Sequence, residues 1–249
     1  MVASTYDQSF LDYTAASSRH AAGRVVSILA PALIPCSVLD VGCANGTWLK
    51  SWQDHGIADI QGVDGDYVDR EALEIPMDRF TSTNLNAPFD LDRKFDLVQS
   101  LEVGEHIAPA AADDFVDSIV RHAARFVIFS AAPPGQGGEH HINEQTYDFW
   151  RSKFSERGFV AFDFVRPQIK NDMKTSYWYR YNTFLYVRRE LTCELPTEIA
   201  RTKIPHDQLL SDIAPVSFRI RKALVRHLPF ALQNQIARLK ARLLPTGRF

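Results

Sequence analysis

The run Val38-Leu-Asp-Val-Gly-Cys-Ala-Asn-Gly46 constrains this chain more than any other stretch. A short apolar strand enters a glycine turn, and a helical segment from Gly46 to His55 follows, with Gly56 as its cap. A strand, a glycine turn and a helix in succession make a ligand-binding corner, because the helix start offers unpaired N–H groups and glycine lets a ligand approach the backbone. The dinucleotide form of this corner has the spacing G-x-G-x-x-G. Here Gly42 and Gly46 bracket Ala44 instead, and Asp40 sits in the strand end, where a pyrophosphate would be repelled. A carboxylate there suits a ligand carrying an ammonium group. Asp64 follows 24 residues after Asp40 and ends a second strand, Asp59–Asp64. An acid at that place can accept hydrogen bonds from both ribose hydroxyls. Taken singly, Asp40 also reads as a helix cap and Asp64 as a turn residue.

The rest of the chain continues the alternation. Further strands are expected at Phe80–Leu85, Phe95–Leu101, Phe126–Ser130, Phe159–Val165 and Thr183–Arg188. Helices are expected over the first thirty residues, stopped by Pro31 and Pro35, and at about 110–122 and 147–157. Strands alternating with helices predict an α/β fold: a Rossmann-like, doubly wound, mostly parallel seven-stranded sheet with a C-terminal helical extension.

Composition excludes several function classes. The 249 residues are 45% hydrophobic with a net charge of −2, so a disordered chain and a globally basic nucleic-acid binder are both ruled out. Cys36, Cys43 and Cys193 cannot build a disulfide framework. The beginning has no basic region followed by an apolar core, and Val25–Val41 is broken by two prolines, so neither a secretory signal nor a membrane span is expected. The expectation is a cytoplasmic protein.

With these residues in view, the chain resembles the class I S-adenosylmethionine-dependent methyltransferases. Asp40, Gly42 and Gly46 match the family's D/E-x-G-x-G-x-G motif, with Ala44 for the middle glycine, and Gln61-Gly-Val-Asp64 matches its second motif. Asn84-Leu85 stands where the family has an Asp-Leu pair beside adenine, and Phe95-Asp-Leu-Val matches its fourth strand, with Leu101-Glu-Val-Gly-Glu-His106 as the following loop. The resemblance covers residues 5–190 and implies a bound S-adenosylmethionine, left as S-adenosylhomocysteine. It implies that Asp40, Gly42 and Gly46 hold the methionine part, Asp64 the ribose, and Asn84 and Leu85 the adenine, with Cys43, Gly65, Leu101 and Glu102 also against the cofactor.

Ligands in such sheets bind outside the carboxyl ends of the strands. Two segments there carry groups able to move a proton: Glu102–His106, and Gly135-Gln-Gly-Gly-Glu-His-His-Ile-Asn-Glu144. The second, with Phe129-Ser-Ala-Ala-Pro-Pro, Gln145, Phe149-Trp150 and Trp178-Tyr-Arg-Tyr-Asn182, is similar to uncharacterised bacterial methyltransferases with a PGQGG…HxNEQ segment. Histidine titrates near neutral pH and can take the proton of a hydroxyl. His141, His106 and His140 are the candidate bases, with His141 first for its spacing to Asn143 and Glu144. The plainer alternative for His106 is a packed residue, and for Asn143 the amino cap of the next helix. Asn143, Tyr179 and Asn182 are candidate substrate contacts, though Trp178, Tyr179 and Tyr181 also read as the aromatic face of a strand. Glu102, Glu105 and His106 resemble the E-x-x-E-H of ubiquinone-pathway O-methyltransferases, which implies a weaker alternative, a divalent cation such as Mg²⁺.

Residues 1–35 are expected to form a helical lid, with Tyr6, Phe10 and Tyr13 towards the ligand and Ser18 and Arg19 near a carboxylate. Residues 36–190 form the cofactor domain, and 191–249 a basic extension. From Ala214 to Phe249 there are eight Lys or Arg and no Asp or Glu, and Leu232, Ile236, Leu239 and Leu243 recur at helical spacing beside Arg238, Lys240 and Arg242. That segment reads as a cover over the sheet with a solvated charged face, as an oligomer contact, or as a peripheral membrane contact. The expected function is O-methylation of a small-molecule or saccharide hydroxyl with a histidine base, and no nucleic-acid partner. The alternatives are a non-catalytic S-adenosylmethionine-binding module and an NAD-dependent oxidoreductase.

Overall fold

Every residue of the strand β1 (Ser37–Val41) is buried, as a parallel strand covered by helices on both faces must be. The structure, a computed structural model, describes residues 8–229, 231–233, 235 and 236, with side chains from Ser18 onward. Beside β1 stand β2 (Asp59–Asp64), β3 (Phe80–Ser82), β4 (Phe95–Leu101), β5 (Ala123–Ser130), β6 (Phe159–Phe162) and β7 (Phe184–Arg188). They form one seven-stranded sheet in the order β3-β2-β1-β4-β5-β7-β6. The pairs from β3 to β5 are parallel, and β7 runs antiparallel between β5 and β6. The fold is the expected Rossmann-like, doubly wound one.

Among the described residues the sheet is accompanied by α1 (Gln8–Leu33), α2 (Thr47–Asp54), α3 (Ala112–His122), α4 (Tyr147–Glu156), α5 (Arg166–Ile169), α6 (Tyr177–Asn182), α7 (Thr197–Ala200) and α8 (Val216–Val225). Side chains alternate between two cores. Val38 faces Val25 and Leu29 of α1 and Trp52 of α2. Leu39 and Val41 face the other way, into a core with Phe115 and Ile119 of α3 and Trp150 and Phe154 of α4. Each large apolar side chain so enclosed contributes about 1.5–3 kcal/mol. The chain leaves β1 towards β2 and β3, then returns to the other side of β1 as β4. The reversal opens a crevice at the carboxyl ends of β1 and β4.

Four local expectations are corrected. Pro31 does not stop α1, which runs to Leu33. Near the helix end it removes a single backbone donor, and Ile34, in the left-handed region at φ 46°, closes the helix with a bond to the Ala30 carbonyl. The strand β3 is shorter than expected and ends at Ser82, after which Thr83 bonds back to the Asp64 carbonyl. The strand β6 ends at Phe162, because Asp163 turns to hold Arg166 through two bonds of 2.8 Å. The aromatic run at 177–182 is a helix, not a strand. Tyr177 and Tyr181, four residues apart, both pack on Phe218 of α8, with ring centres 5.0 and 6.1 Å away.

Candidate active site

The crevice holds a cavity of about 740 Å³. Its floor is the turn after β1. Gly42 at φ 85° and Gly46 at φ 83° occupy the left-handed region, which favours glycine. A Cβ on Gly42 would lie 2.4 Å from the Val103 side chain, and one on Gly46 would lie 2.9 Å from Ile75. Close packing therefore demands these glycines as well as any ligand. Ala44 also adopts the left-handed form, at φ 46°, and its N–H donates to Asp64 Oδ2 at 2.7 Å.

Asp64 lines the cavity at the end of β2. Its Oδ1 accepts the Gly65 N–H at 2.7 Å and the hydroxyl of Tyr67. Burial pushes its carboxyl above the usual range despite these donors. Asp40 and Gly46 do not reach the cavity wall. Asp40 is 2% exposed, just beneath the turn, and its Oδ2 has no partner. Burial, with the nearby charge of Asp64, lifts its carboxyl to about 7. Cys43 and Gly65 line the same end, and burial raises the Cys43 thiol. Asn84, Leu85 and Leu101 form a side wall, with Asn84 Oδ1 also closing a turn with the Asn86 N–H at 3.0 Å. This half of the cavity offers the Asp64 carboxylate, a backbone turn with the Asp40 carboxylate buried beneath it, and an apolar slot. It suits a ligand with adjacent hydroxyls, a flat ring and a cationic centre.

The other half is built around His141. Its Nδ1 lies 2.9 Å from Glu144 Oε1, and Glu144 also accepts the N–H groups of Gly135 and Gly137, both at 2.7 Å. One carboxylate therefore shapes the glycine loop and orients the imidazole. His141 Nε2 lies 4.0 Å from Glu105, and the His141 ring stands edge-on to His106 with centres 5.0 Å apart. His106 Nδ1 lies 3.2 Å from the His140 carbonyl. Burial, with His141 alongside, drops His106 to about 3, so it is neutral at neutral pH. His140 does not line the cavity; its backbone is left-handed at φ 57° and its ring faces Glu139.

Glu105 is fully buried, and neither of its carboxylate oxygens has a hydrogen-bond partner. Burial and the charge of Glu102 push it well above the carboxylate range. Glu105, His106 and His141 each offer a ligand atom within 4.8 Å of the others. The set expected from sequence is thereby changed. Glu102 instead accepts from Gln136 Nε2 at 2.8 Å and Asn182 Nδ2 at 3.2 Å, and His141 takes the third place.

Two expected substrate contacts lie behind the wall. Asn143 is 2% exposed and donates to the Gly104 carbonyl at 3.3 Å, tying the histidine loop to the turn after β4. It does not cap α4 either; Thr146 does, through the Phe149 N–H. Asn182 is buried, donating to Gln136 and accepting from Tyr147. Tyr179 does line the cavity and shares a 2.8 Å bond with Ser18. Arg19 points elsewhere, to Glu74. Tyr6 and the side chains of Phe10 and Tyr13 lie outside the described residues.

Sequence reasoning missed the far wall. Arg221 and Val225 of α8 line the cavity with Tyr177, and Arg221 donates to the Gln136 carbonyl at 3.1 Å. Helix α8 thus covers the cavity, not the sheet. Nothing in the local spacing of residues 216–225 signals that placement. Tyr67 and Trp48 were also missed; Tyr67 follows Asp64 closely enough to have been weighed.

Comparison with known proteins bears on the family and the fold. A family model described as a methyltransferase domain matches residues 9–160. Among solved structures, the sugar N-methyltransferase KedS8 from a Streptoalloteichus species is similar at 17% identity and a TM-score of 0.53, over 70% of this chain and 88% of that one. An O-methyltransferase family protein from Burkholderia thailandensis is similar at 14% identity and a TM-score of 0.52, over 72% of this chain and 58% of that one. Both likenesses concern the fold. No curated protein sequence matches significantly.

Proposed function

Since this chain belongs to the methyltransferase-domain family, we propose that it methylates a hydroxyl of a small-molecule or saccharide acceptor, with S-adenosylmethionine as methyl donor and His141 as base. When bound, the cofactor supplies an electrophilic methyl group on a sulfonium centre. The residues at the carboxyl ends of β1 and β2 fit it: Asp64 offers acceptors for ribose hydroxyls, Leu85 and Leu101 an apolar slot for adenine, and Asp40 an unpartnered buried oxygen beneath the turn. Asp40 acts on the ammonium group by its charge, from behind the Gly42 backbone. The family match sets aside the oxidoreductase alternative. The non-catalytic alternative meets a cavity that contains an oriented imidazole.

The single observation that supports the base is the 2.9 Å contact of His141 Nδ1 with Glu144. Glu144 keeps the proton on Nδ1 and leaves Nε2 to accept one from the acceptor hydroxyl. His106, held near 3, is too weak a base to take much of that proton. Tyr177, Trp178 and Tyr179 form an aromatic wall suited to the apolar face of a sugar ring. The sugar acted on by KedS8 is compatible with such an acceptor.

A second reading is favoured by Glu105. A buried carboxylate with two unpartnered oxygens beside two imidazoles suits a divalent cation, which would be held by Glu105, His106 and His141 and would make a bound hydroxyl more acidic. Both readings use the same imidazole, so a cation there would replace His141 as the source of activation.

Calorimetric titration with S-adenosylmethionine, S-adenosylhomocysteine and NAD, with and without Mg²⁺ or Mn²⁺, tests the proposal. Binding of the adenosyl ligands alone is expected, and would justify an acceptor screen beginning with sugars. Their failure to bind in every condition would overturn it. Thermal stabilisation by Mn²⁺ that is lost in Glu105→Gln would select the metal reading.

A further inference from the structure

Helix α8 has two unlike faces. The inner one carries Arg221 and Val225 against the cavity, Phe218 against Tyr177, and Lys222 paired with Asp212. The outer one carries Val216, Ile220 and Leu224, which are 63%, 56% and 67% exposed. These three are spaced by four residues, so they form one stripe along the helix. An amphipathic helix on a protein surface ordinarily turns its charged side to water. Here large aliphatic residues take that position.

Charge decides what covers the stripe. Arg219 and Arg226 are exposed beside it and have no carboxylate partner among the described residues. From Ala214 to Phe249 the chain has eight Lys or Arg and no Asp or Glu, although the whole protein is at −2. A second copy of the same stripe would bring these positive charges together, which disfavours a symmetric dimer through this face. An apolar stripe with basic flanks and no acidic residue matches a helix lying in the headgroup plane of an anionic bilayer, where arginine stems keep their charge at the phosphate level. No helix among the described residues is long and apolar enough to cross a membrane, so the contact would be peripheral.

We propose that the outer face of α8, with Arg219 and Arg226 beside it, docks on an anionic lipid surface, turning Val216, Ile220 and Leu224 towards the acyl chains. Because the inner face of the same helix walls the cavity, docking holds the cavity beside the lipid headgroups. An acceptor carried on a lipid could then enter without leaving the surface; this last consequence alone rests on the methyltransferase reading.

The test uses the full chain, without cofactor or acceptor, in co-sedimentation with vesicles of phosphatidylcholine alone or of phosphatidylcholine with phosphatidylglycerol. Binding to the anionic vesicles is expected, weakened by salt and at least roughly tenfold weaker on the neutral ones. The paired variant Arg219→Gln, Arg226→Gln should lose roughly tenfold or more at low salt, since each basic residue near the surface adds to the attraction. Ile220→Glu and Leu224→Glu should abolish sedimentation while their melting and S-adenosylhomocysteine binding stay as in the parent, because both side chains face water in the free protein. Four outcomes would overturn the proposal: no sedimentation of the parent protein, equal binding to both vesicles, full binding by the two glutamate variants, or a parent dimer by light scattering that Ile220→Glu converts to a monomer without any vesicle binding. Failure of docking would leave the methyltransferase reading intact, since the assay contains no step of that reaction.

Discussion

Glu144 accepts from His141 Nδ1 at 2.9 Å with the same carboxylate that fixes the backbone of Gly135 and Gly137. His141→Ala should therefore lower turnover by about 10²–10⁴-fold while S-adenosylhomocysteine binding stays within a few-fold. Unchanged turnover would move the role to His106. Glu144→Gln should also slow the reaction, because an amide orients the imidazole less firmly than a carboxylate does. S-adenosylhomocysteine binding should stay within a few-fold; a collapse of binding together with turnover would give Glu144 a purely structural role.

Asp64→Ala should weaken cofactor binding by roughly ten- to a hundredfold, the worth of a charged hydrogen-bond acceptor. The variant should also melt lower than the parent. Ala44 and Gly65 lose the acceptor for their N–H groups, so the turn loosens even when empty. Calorimetry and thermal unfolding separate the two effects. Asp64→Asn should recover part of the melting temperature but little of the affinity.

Asp40 predicts a pH dependence of both folding and binding. Its carboxyl is held at about 7 in the folded chain, against an ordinary value of 3.8. Between those limits the folded state binds more protons than the unfolded state, so stability falls as pH rises through the window. The full effect is on the order of 4 kcal/mol. Asp40→Asn should flatten this slope and raise the melting temperature at neutral pH. A cationic ligand restores ionisation, so cofactor binding at pH 6 should release protons. Calorimetry in buffers of different ionisation heat measures that release, and the asparagine variant should lack it.

Ala44 sits at φ 46°, where a Cβ is disfavoured by about 1–2 kcal/mol. Ala44→Gly should stabilise the protein despite the entropy glycine adds to the unfolded chain, by up to about 1 kcal/mol in chemical denaturation. Gly42→Ala should do the reverse, since it adds both backbone strain and a 2.4 Å approach to Val103. Adding Val103→Ala should relieve only the steric share.

Those two positions also mark what could be read from sequence. The turn after β1 was legible because a buried parallel strand must be apolar throughout and must then break, which Ser37–Val41 followed by Gly42 does. Asp64 was legible for the same reason at the end of β2. The aromatic run at 177–182 was open to misreading, since alternating large residues imitate a strand. The spacing of Tyr177 and Tyr181 was the available helical signal, and it gained meaning only once Phe218 lay beside them. The approach of His141 to Glu105 and that of Arg221 to Gln136 join segments far apart in the chain. Local periodicity carries no information about such contacts.

The cavity draws its walls from two stretches of the chain. The floor and the Asp64 end lie inside residues 9–160, the part matched by the family model, whereas Tyr177, Tyr179, Arg221 and Val225 lie beyond it. Relatives alike in their first 160 residues need not share an acceptor, and a chimera that exchanges only the later segment is the natural way to transplant acceptor choice from one such enzyme to another.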